Sequence, residues 1–294
     1  MEIATEVRTL LDAQFQLGEG PVWDAERQVL WFVDIKRHFL WHYDPVTGSN
    51  ARAEAPGQIG WALPAEGGRL LCGLEDGLYL FDPETQDFAD LGPVPGEPAR
   101  NRLNDGCTDP WGRAWFGSMD DREQEASGRF YVFDRGEIRP AGPSGISITN
   151  GPAVSPQGDR IYFTDTTAQK IMVADLSASG VGEARPFANT AADFPDAYPD
   201  GPIVDAEDHV WTGLYFGACA ARYSPDGKLV ATVPLPARDI TKLAMGGADL
   251  RTGFVTTATK NMAEGDYPAH PASGSLLAFH SPVAGFAPTR VKLG

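Results

Sequence analysis

Side chains that could bind a metal ion recur at one position of a repeated stretch of sequence. In five stretches this residue directly precedes a glycine. The sixth stretch has no such glycine, and we take its nearest polar residue. The six residues are Glu19, Ile59, Asp105, Asn150, Asp200 and Lys242. Carboxylates that lie close together repel and raise one another's pKa, a cost that a bound cation removes. Hard oxygen ligands suit Ca²⁺, Mg²⁺ or Mn²⁺ and are compatible with Zn²⁺ or Fe²⁺. We therefore predict one divalent ion held by Glu19, Asn150 and Asp200; the alternative is that these residues cap strands and turns.

The stretches belong to a repeat that covers most of the chain. EGPVWDAERQVLWFVD from Glu19 and NGPAVSPQGDRIYFTD from Asn150 align without a gap, and related stretches begin near residues 59, 105, 200 and 242. Each unit has three short runs rich in Val, Ile, Phe, Trp and Tyr, which indicate β-strands, and a fourth strand would come from the segment that enters the next unit. We predict an all-β fold, a six-bladed β-propeller with a central channel, whose first strands carry the metal ligands to one mouth.

Residues 1–294 are predicted to form a single propeller domain. The N-terminal segment EVRTLLDAQF (6–15) is expected to pair beside the last unit and close the ring, and RVKL (290–293) to lie there too. Three longer connections interrupt the regular spacing, at 119–128, 187–198 and 260–274. Long loops on a rigid scaffold often line a site, although each could equally be a solvent-exposed insertion.

The composition argues against several classes of partner. The formal net charge of −16 opposes nucleic acid backbones and anionic lipid heads. Cys72, Cys107 and Cys219 are far apart and odd in number, which fits a reducing cytoplasm better than a disulfide framework. The N-terminus lacks the apolar core of a signal peptide, and no apolar run is long enough to span a bilayer. We expect a cytoplasmic monomer that binds neither nucleic acid nor a membrane.

Other common catalytic motifs do not occur in the sequence. There is no G-x-S-x-G elbow, no G-x-G-x-x-G loop and no P-loop, and the five histidines show no H-E-x-x-H spacing. Most tryptophans follow the strand pattern and are expected in the core. Trp61 differs, because it falls at the start of a first strand, near the predicted mouth, where it could contact a substrate.

Several stretches together resemble one protein family. The chain is similar to the SMP-30/gluconolactonase/regucalcin family, and most to its bacterial sugar lactonases, in LGEGPVW, WFVDI, ITNGPAVSPQGDRIYFTDT, YPDGPIVDAE and TKLAMGG, between about Leu17 and Ala258. The resemblance implies a six-bladed propeller that binds one divalent metal ion in the channel mouth. It also implies that Glu19, Asn150 and Asp200 are the metal ligands.

The same resemblance implies substrate contacts in the third unit. Arg102 and Asn104, in N-R-L-N-D-G, would contact the substrate. An acidic residue after the G-S-M motif would join them; Asp120 and Asp121 both fit, and we take Asp121. Asp105 has the same position in the repeat as the ligands, and we expect it to support them or to contact substrate.

We expect divalent-metal-dependent hydrolysis of a sugar-acid lactone (an aldonolactone) to the aldonic acid. The metal would act as a Lewis acid or lower the pKa of a bound water. Asp200 and Glu19 would be catalytic, with Asp200 as the general base, because a ligand carboxylate can keep one oxygen free for water. The alternatives are another metal-dependent hydrolase, acting on phosphotriesters or other esters, and a non-catalytic calcium-binding propeller. Polar residues such as Arg102 and Asn104 favour a sugar.

Overall fold

The computed structural model describes residues 1–294 and shows an all-β chain. Its only helices are four short 3-10 segments, Ile35–Arg37, Glu66–Gly68, Thr190–Ala192 and Glu264–Asp266. The 25 strands, in chain order, are β1 Val7–Asp12, β2 Gly18–Asp24, β3 Val29–Asp34, β4 Phe39–Tyr43, β5 Asn50–Glu54, β6 Ile59–Pro64, β7 Leu70–Leu74, β8 Leu78–Phe81, β9 Phe88–Gly92, β10 Asn101–Thr108, β11 Ala114–Asp120, β12 Gly128–Asp134, β13 Glu137–Ile146, β14 Thr149–Val154, β15 Arg160–Asp165, β16 Lys170–Ser177, β17 Gly180–Val181, β18 Arg185–Asn189, β19 Tyr198–Val204, β20 Val210–Tyr215, β21 Cys219–Tyr223, β22 Leu229–Pro234, β23 Asp239–Gly246, β24 Thr252–Ala258 and β25 Ser275–His280. No helix is long and apolar enough to cross a membrane.

The strands form a propeller-like arrangement of sheets, which confirms the predicted all-β class. Consecutive strands make three four-stranded sheets (β2–β5, β6–β9 and β10–β13) and one five-stranded sheet (β14–β18). The remaining strands form an eight-stranded sheet in the order β1, β25, β24, β23, β19, β20, β21, β22. In this sheet β19 and β23 meet at a single parallel pair, Gly201 with Lys242. Apolar side chains from neighbouring sheets pack between them.

The two chain termini lie in different places. β1 pairs antiparallel with β25, from Val7 opposite Phe279 to Asp12 opposite Ser275. The C-terminal segment instead reaches the second and third units, where Val291 forms a bridge with Ala65. The expectation that RVKL would lie beside the last unit is therefore wrong. Val291 is fully buried in an apolar cluster there, which explains its position.

β-Bulges occur at the repeated position in the first strand of every unit. The pairing register shifts there in β2, β6, β10, β14, β19 and β23. In β2, for example, the shift lies between Glu19 and Val22, and in β19 it lies between Pro199 and Pro202. A bulge changes the direction in which the local side chains point. At this position of each unit, the alternation of side chains along the first strand is therefore interrupted.

The repeated glycines allow neighbouring first strands to approach closely. A Cβ atom at Gly60 would lie 2.4 Å from the carbonyl oxygen of Leu103 on the next first strand. A Cβ at Gly201 would lie 2.7 Å from Cγ of Lys242. Both distances are far inside van der Waals contact, so only glycine fits. The glycine therefore belongs to the scaffold, whereas the residue before it varies from unit to unit.

Aspartates in the turns after the first strands have structural partners. Asp109 accepts a hydrogen bond from Trp115 Nε1 at 2.7 Å, and Asp205 accepts one from Trp211 Nε1 at 2.9 Å. An arginine also donates to each carboxylate. Leaving a buried acceptor without partners costs about 1–3 kcal/mol, more for a charged group. These two aspartates avoid that cost, and each stabilises the packing of one tryptophan in its own unit.

Candidate metal and substrate site

A cavity of about 460 Å³ brings together five of the residues singled out in the sequence. Glu19 on β2, Asn150 on β14 and Asp200 on β19 line it, together with Arg102 and Asn104 on β10. The side chains come from four different first strands, so the cavity exists only when the sheets are assembled. Sites built on strands in this way are held by the whole fold.

The carboxyl groups of Glu19 and Asp200 are buried and hard to ionise. The two residues are 4% and 6% exposed. Burial, followed by the charge of Asp105, raises the pKa of Glu19 to about 7, although the Gly20 N–H donates to it at 2.7 Å. Burial, followed by the charge of Glu19, raises the pKa of Asp200 well above its ordinary value. Two buried acids in this arrangement are stabilised either by protons or by a cation.

One carboxylate oxygen of Asp200 has no partner within the protein. Its Oδ1 atom is buried and accepts no hydrogen bond, unlike the oxygens of the turn aspartates Asp109 and Asp205. Native structures rarely leave a buried polar atom unsatisfied, and an exception needs a physical reason. A proton or a bound cation at Oδ1 would give this oxygen the partner that the protein does not provide.

The amide of Asn150 is held in one orientation by its neighbours. Its Nδ2 donates to Thr166 Oγ1 at 2.9 Å, and its Oδ1 accepts from Asn104 Nδ2, also at 2.9 Å. Thr166 in turn donates to the Pro199 carbonyl at 2.8 Å. The network directs the amide nitrogen toward Thr166 and the oxygen toward Asn104, leaving a second lone pair on that oxygen for a cation.

Asp105 has the same position in the repeat but makes a different set of contacts. Its carboxylate accepts hydrogen bonds from the backbone N–H groups of Gly106 at 2.7 Å and Gly151 at 2.8 Å. It also pairs with Lys242 Nζ at 2.5 Å. Asp105 does not line the cavity, and these contacts occupy its oxygens. We therefore expect Asp105 to support the candidate ligands from outside the cavity rather than to bind the ion.

The donor set suits a divalent cation. Two carboxylates and an amide oxygen are hard ligands, and the unpartnered Asp200 Oδ1 is an acceptor ready for one. No group of three His, Cys, Asp or Glu side chains in the structure could hold a metal ion. A metal here would therefore depend on the amide of Asn150 in addition to Glu19 and Asp200, and on water or substrate for its other positions.

Arg102 is a buried cation positioned by Asp121. Its Nε donates to Asp121 Oδ1 at 2.8 Å, and its Nη1 donates to Asn104 Oδ1 at 2.6 Å. Lys36 Nζ also donates to Asp121 Oδ1, at 2.6 Å. Burial raises the pKa of Asp121, but hydrogen bonds from Lys36 and Gln58 and the charge of Arg102 lower it to about 2. Asp121 does not line the cavity, so it contacts Arg102 and orients it.

Asp120 has a structural position beside this group. Its carboxylate accepts hydrogen bonds from the backbone N–H groups of Gln124 and Glu125, both at 3.0 Å, and it is 1% exposed. These contacts fix the turn after β11. Of the two aspartates that follow the G-S-M motif, only Asp121 has a side chain that contacts Arg102.

We expect replacement of Arg102 by lysine to lower kcat/KM by about 10- to 100-fold. Lysine keeps the charge but cannot donate to Asp121 and Asn104 at the same time, and hydrogen bonds to charged groups contribute about 1.5–3 kcal/mol. Steady-state kinetics would measure the loss, mainly as a raised KM. Arg185→Lys, at an exposed ion pair with Asp175, is a matched control and should leave kcat/KM unchanged.

The structure places Trp61 away from this cavity. The residue is 1% exposed, and its ring lies 5.3 Å from that of Phe116, between the second and third units. It faces a second, largely apolar cavity of about 330 Å³. A large indole is stabilised more by such packing than by exposure at a polar mouth. We therefore assign Trp61 to the core, which corrects the predicted substrate contact.

Several residues at the cavity were not singled out individually. Lys260 and Asn261 line it and belong to the long connection 260–274, and Lys260 forms an ion pair with Glu123 of the connection 119–128. Phe216 also lines it, is 41% exposed, and has a φ angle of 65° that bulky residues rarely adopt. The unusual length of the connections 119–128 and 260–274 pointed to Glu123, Lys260 and Asn261. No sequence signal pointed to Phe216.

A family model matches most of the chain. Residues 17–259 match the SMP-30/gluconolactonase/LRE-like region, which confirms the resemblance seen in the sequence. The 6-deoxy-6-sulfogluconolactonase of Pseudomonas putida is 31% identical over 92% of this chain and 93% of its own length. The pentonolactonase XacC of Haloferax volcanii is 30% identical, with the same coverage of each chain.

A solved structure has nearly the same fold. It is the calcium-binding protein regucalcin from Agrobacterium tumefaciens, which superposes with a TM-score of 0.92. The two sequences are 26% identical, and the match covers 97% of each chain. The similarity thus extends over almost the entire structure.

Proposed function

This chain belongs to the SMP-30/gluconolactonase/LRE-like family and is a lactonase, and we propose that it uses one divalent metal ion to hydrolyse a sugar-acid lactone to the free acid. The observation that carries the proposal is the unpartnered, buried Oδ1 of Asp200 in a cavity shared with Glu19 and Asn150. Relatives that are named as sugar lactonases support the substrate class, and a relative described as calcium-binding supports the metal. The candidate ions are Ca²⁺, Mg²⁺, Mn²⁺, Zn²⁺ and Fe²⁺.

Glu19, Asn150 and Asp200 would hold the ion. When bound there, a divalent cation supplies Lewis acidity that stabilises negative charge on the reacting carbonyl. With Oδ1 bound to the ion, the second carboxylate oxygen of Asp200 would accept the proton of the attacking water.

Arg102 and Asn104 would bind and orient the lactone. Both are buried at the cavity wall, and each is fixed by a hydrogen bond to the other. Polar groups held in this way lower the entropic part of the barrier because they do not have to be ordered during the reaction. Their polarity favours a substrate with several hydroxyl groups over an apolar ester.

We infer that the ring has six blades and that residues 1–294 form one domain. The eight-stranded sheet would be two blades, β19–β22 and β23–β25 with β1. In support, the join between β19 and β23 is a single parallel pair, whereas all other neighbours in that sheet are antiparallel. The first strands also contact one another in a closed cycle, β2, β6, β10, β14, β19, β23 and β2 again. β1 would then complete the last blade and close the ring.

We also propose that the protein is a cytoplasmic monomer. All three cysteines are free, as is usual in a reducing compartment. A ring of sheets leaves few unpaired strand edges for association. The net charge of −16 disfavours nucleic acid and anionic membranes as partners.

A hydrolysis assay tests the proposed function. Metal-stripped protein would be mixed with a panel of aldonolactones in a pH-indicator buffer, and each of the five ions would be added back singly. We expect acid release above the uncatalysed rate, restored by at least one ion. If metal binding is measurable but no lactone is hydrolysed with any ion, the proposal is wrong, and phosphotriesters, other esters or metal binding alone become the functions to test.

A further inference from the structure

We propose that Lys242 is a fixed counter-charge that makes the metal site selective for divalent ions. This inference rests on the metal site proposed above. Lys242 lies on β23, the first strand of the sixth unit, and is 4% exposed. Its Nζ donates to Asp105 Oδ1 at 2.5 Å and lies 3.4 Å from the Gly106 carbonyl oxygen. A buried ammonium group thus lies directly behind the candidate ligands.

The charges of the residues at the repeated position sum to a small negative number. Glu19, Asp105 and Asp200 carry three negative charges when ionised, and Lys242 carries one positive charge. Their sum is −2, which one divalent ion balances. Without Lys242 the sum would be −3, which matches a trivalent ion. Buried charge is tolerated only when it is balanced, so Lys242 sets the charge of the ion that fits best.

Other cations near the cavity pair with carboxylates that are not at the repeated position. Lys260 forms an ion pair with Glu123. Arg102 and Lys36 share Asp121, whose side chain is 32% exposed, so solvent and salt screen that group. Lys242 is therefore the one positive charge at the repeated position, and it pairs with the carboxylate of Asp105 there.

The position of Lys242 depends on a glycine in the neighbouring strand. A Cβ at Gly201 would lie 2.7 Å from both Cγ and Cδ of Lys242, so the lysine stem passes directly over the backbone next to Asp200. Burial lowers the pKa of Lys242, but the charge of Asp105 raises it above its ordinary value, so the group stays charged. Both features indicate a cation that is held in place in the folded protein.

Calorimetric titration of four metal-stripped proteins with Ca²⁺ and with Tb³⁺ tests this proposal. The proteins are wild type, Lys242→Met, Asp105→Asn and the double variant, whose buried charge sums are −2, −3, −1 and −2. We expect the ratio of Tb³⁺ affinity to Ca²⁺ affinity to rise about tenfold in Lys242→Met, which corresponds to about 1.4 kcal/mol. The ratio should fall in Asp105→Asn and return to the wild-type value in the double variant.

Several outcomes would contradict the proposal. If the ratio is unchanged in folded Lys242→Met, or if the double variant behaves like Lys242→Met, Lys242 serves only the packing of the strands. If wild type binds neither ion, this proposal is wrong, and the hydrolysis assay with the other four ions decides separately whether the metal site exists. Lys228→Met removes an equal charge at an exposed ion pair with Asp226, away from the cavity, and should leave the ratio unchanged. Should Lys242→Met fail to fold, Asp105→Asn and the double variant still decide the question.

Discussion

Asp200→Asn is expected to lower kcat/KM for the best lactone by about 1,000-fold or more. The substitution keeps the size of the side chain but removes both a ligand charge and the carboxylate oxygen that would accept the proton. Loss of a general base alone typically costs 10²- to 10⁴-fold, and weaker metal binding adds to that loss. Steady-state kinetics with saturating metal would measure the effect. Glu19→Gln should show a smaller loss, because it removes a ligand charge but leaves the proton acceptor.

The stability of the same variant separates a loss of chemistry from a loss of fold. In the presence of a chelator, Asp200→Asn should unfold at a temperature equal to or above that of wild type, because a buried, unpartnered carboxylate has been neutralised. Asp226→Asn, at an exposed ion pair with Lys228, should leave both activity and unfolding temperature nearly unchanged. Wild-type turnover with full metal dependence in Asp200→Asn would contradict the role assigned to Asp200.

The metal-free protein is expected to lose stability as the pH rises from about 4.5 to about 7. The pKa of Glu19 is raised from 4.5 to about 7 by burial and by the charge of Asp105. The folded state therefore holds this proton more tightly than the unfolded chain does. The resulting stability is fully present below pH 4.5 and is lost as the pH rises through 7. A shift of this size corresponds to about 3 kcal/mol, and the raised pKa of Asp200 acts in the same direction.

Denaturant unfolding at several pH values, with chelator, would measure this loss. The difference between wild type and Glu19→Gln isolates the contribution of Glu19 from that of all other groups. Saturating Ca²⁺ should reverse the difference at neutral pH in favour of wild type, because the bound ion stabilises the ionised carboxylate and Glu19→Gln binds the ion less tightly. Asp121→Asn is a control of opposite sign, since the pKa of Asp121 is lowered and its contribution is lost only as the pH falls toward 2. If the free energy of unfolding depends on pH in the same way in wild type and in Glu19→Gln, the raised pKa assigned to Glu19 is wrong.

The repeat in the sequence predicted the all-β class and identified three of the residues that line one cavity. Glu19, Asn150 and Asp200 could be identified because the glycine after each is dictated by strand packing, so the variation before it was informative. Arg102 and Asn104 depended on resemblance to a family, since nothing in their spacing assigns a role.

Contacts between distant units could not be predicted in the same way. The ion pair of Lys242 with Asp105 joins residues 137 positions apart and depends on how the strands are arranged in space. Trp61 was misplaced because the bulge at Gly60 changes which side chains of β6 face the core. The position of RVKL depended on a buried contact of Val291, which a short apolar segment does not reveal.

The central claim is that a divalent ion bound by Glu19, Asn150 and Asp200 supports lactone hydrolysis. Anomalous scattering from crystals of the active protein soaked in Mn²⁺ tests it most directly. We predict one strong peak within bonding distance of Asp200 Oδ1, a carboxylate oxygen of Glu19 and Asn150 Oδ1. A peak elsewhere, or none at this position in protein whose hydrolysis depends on Mn²⁺, would contradict the claim.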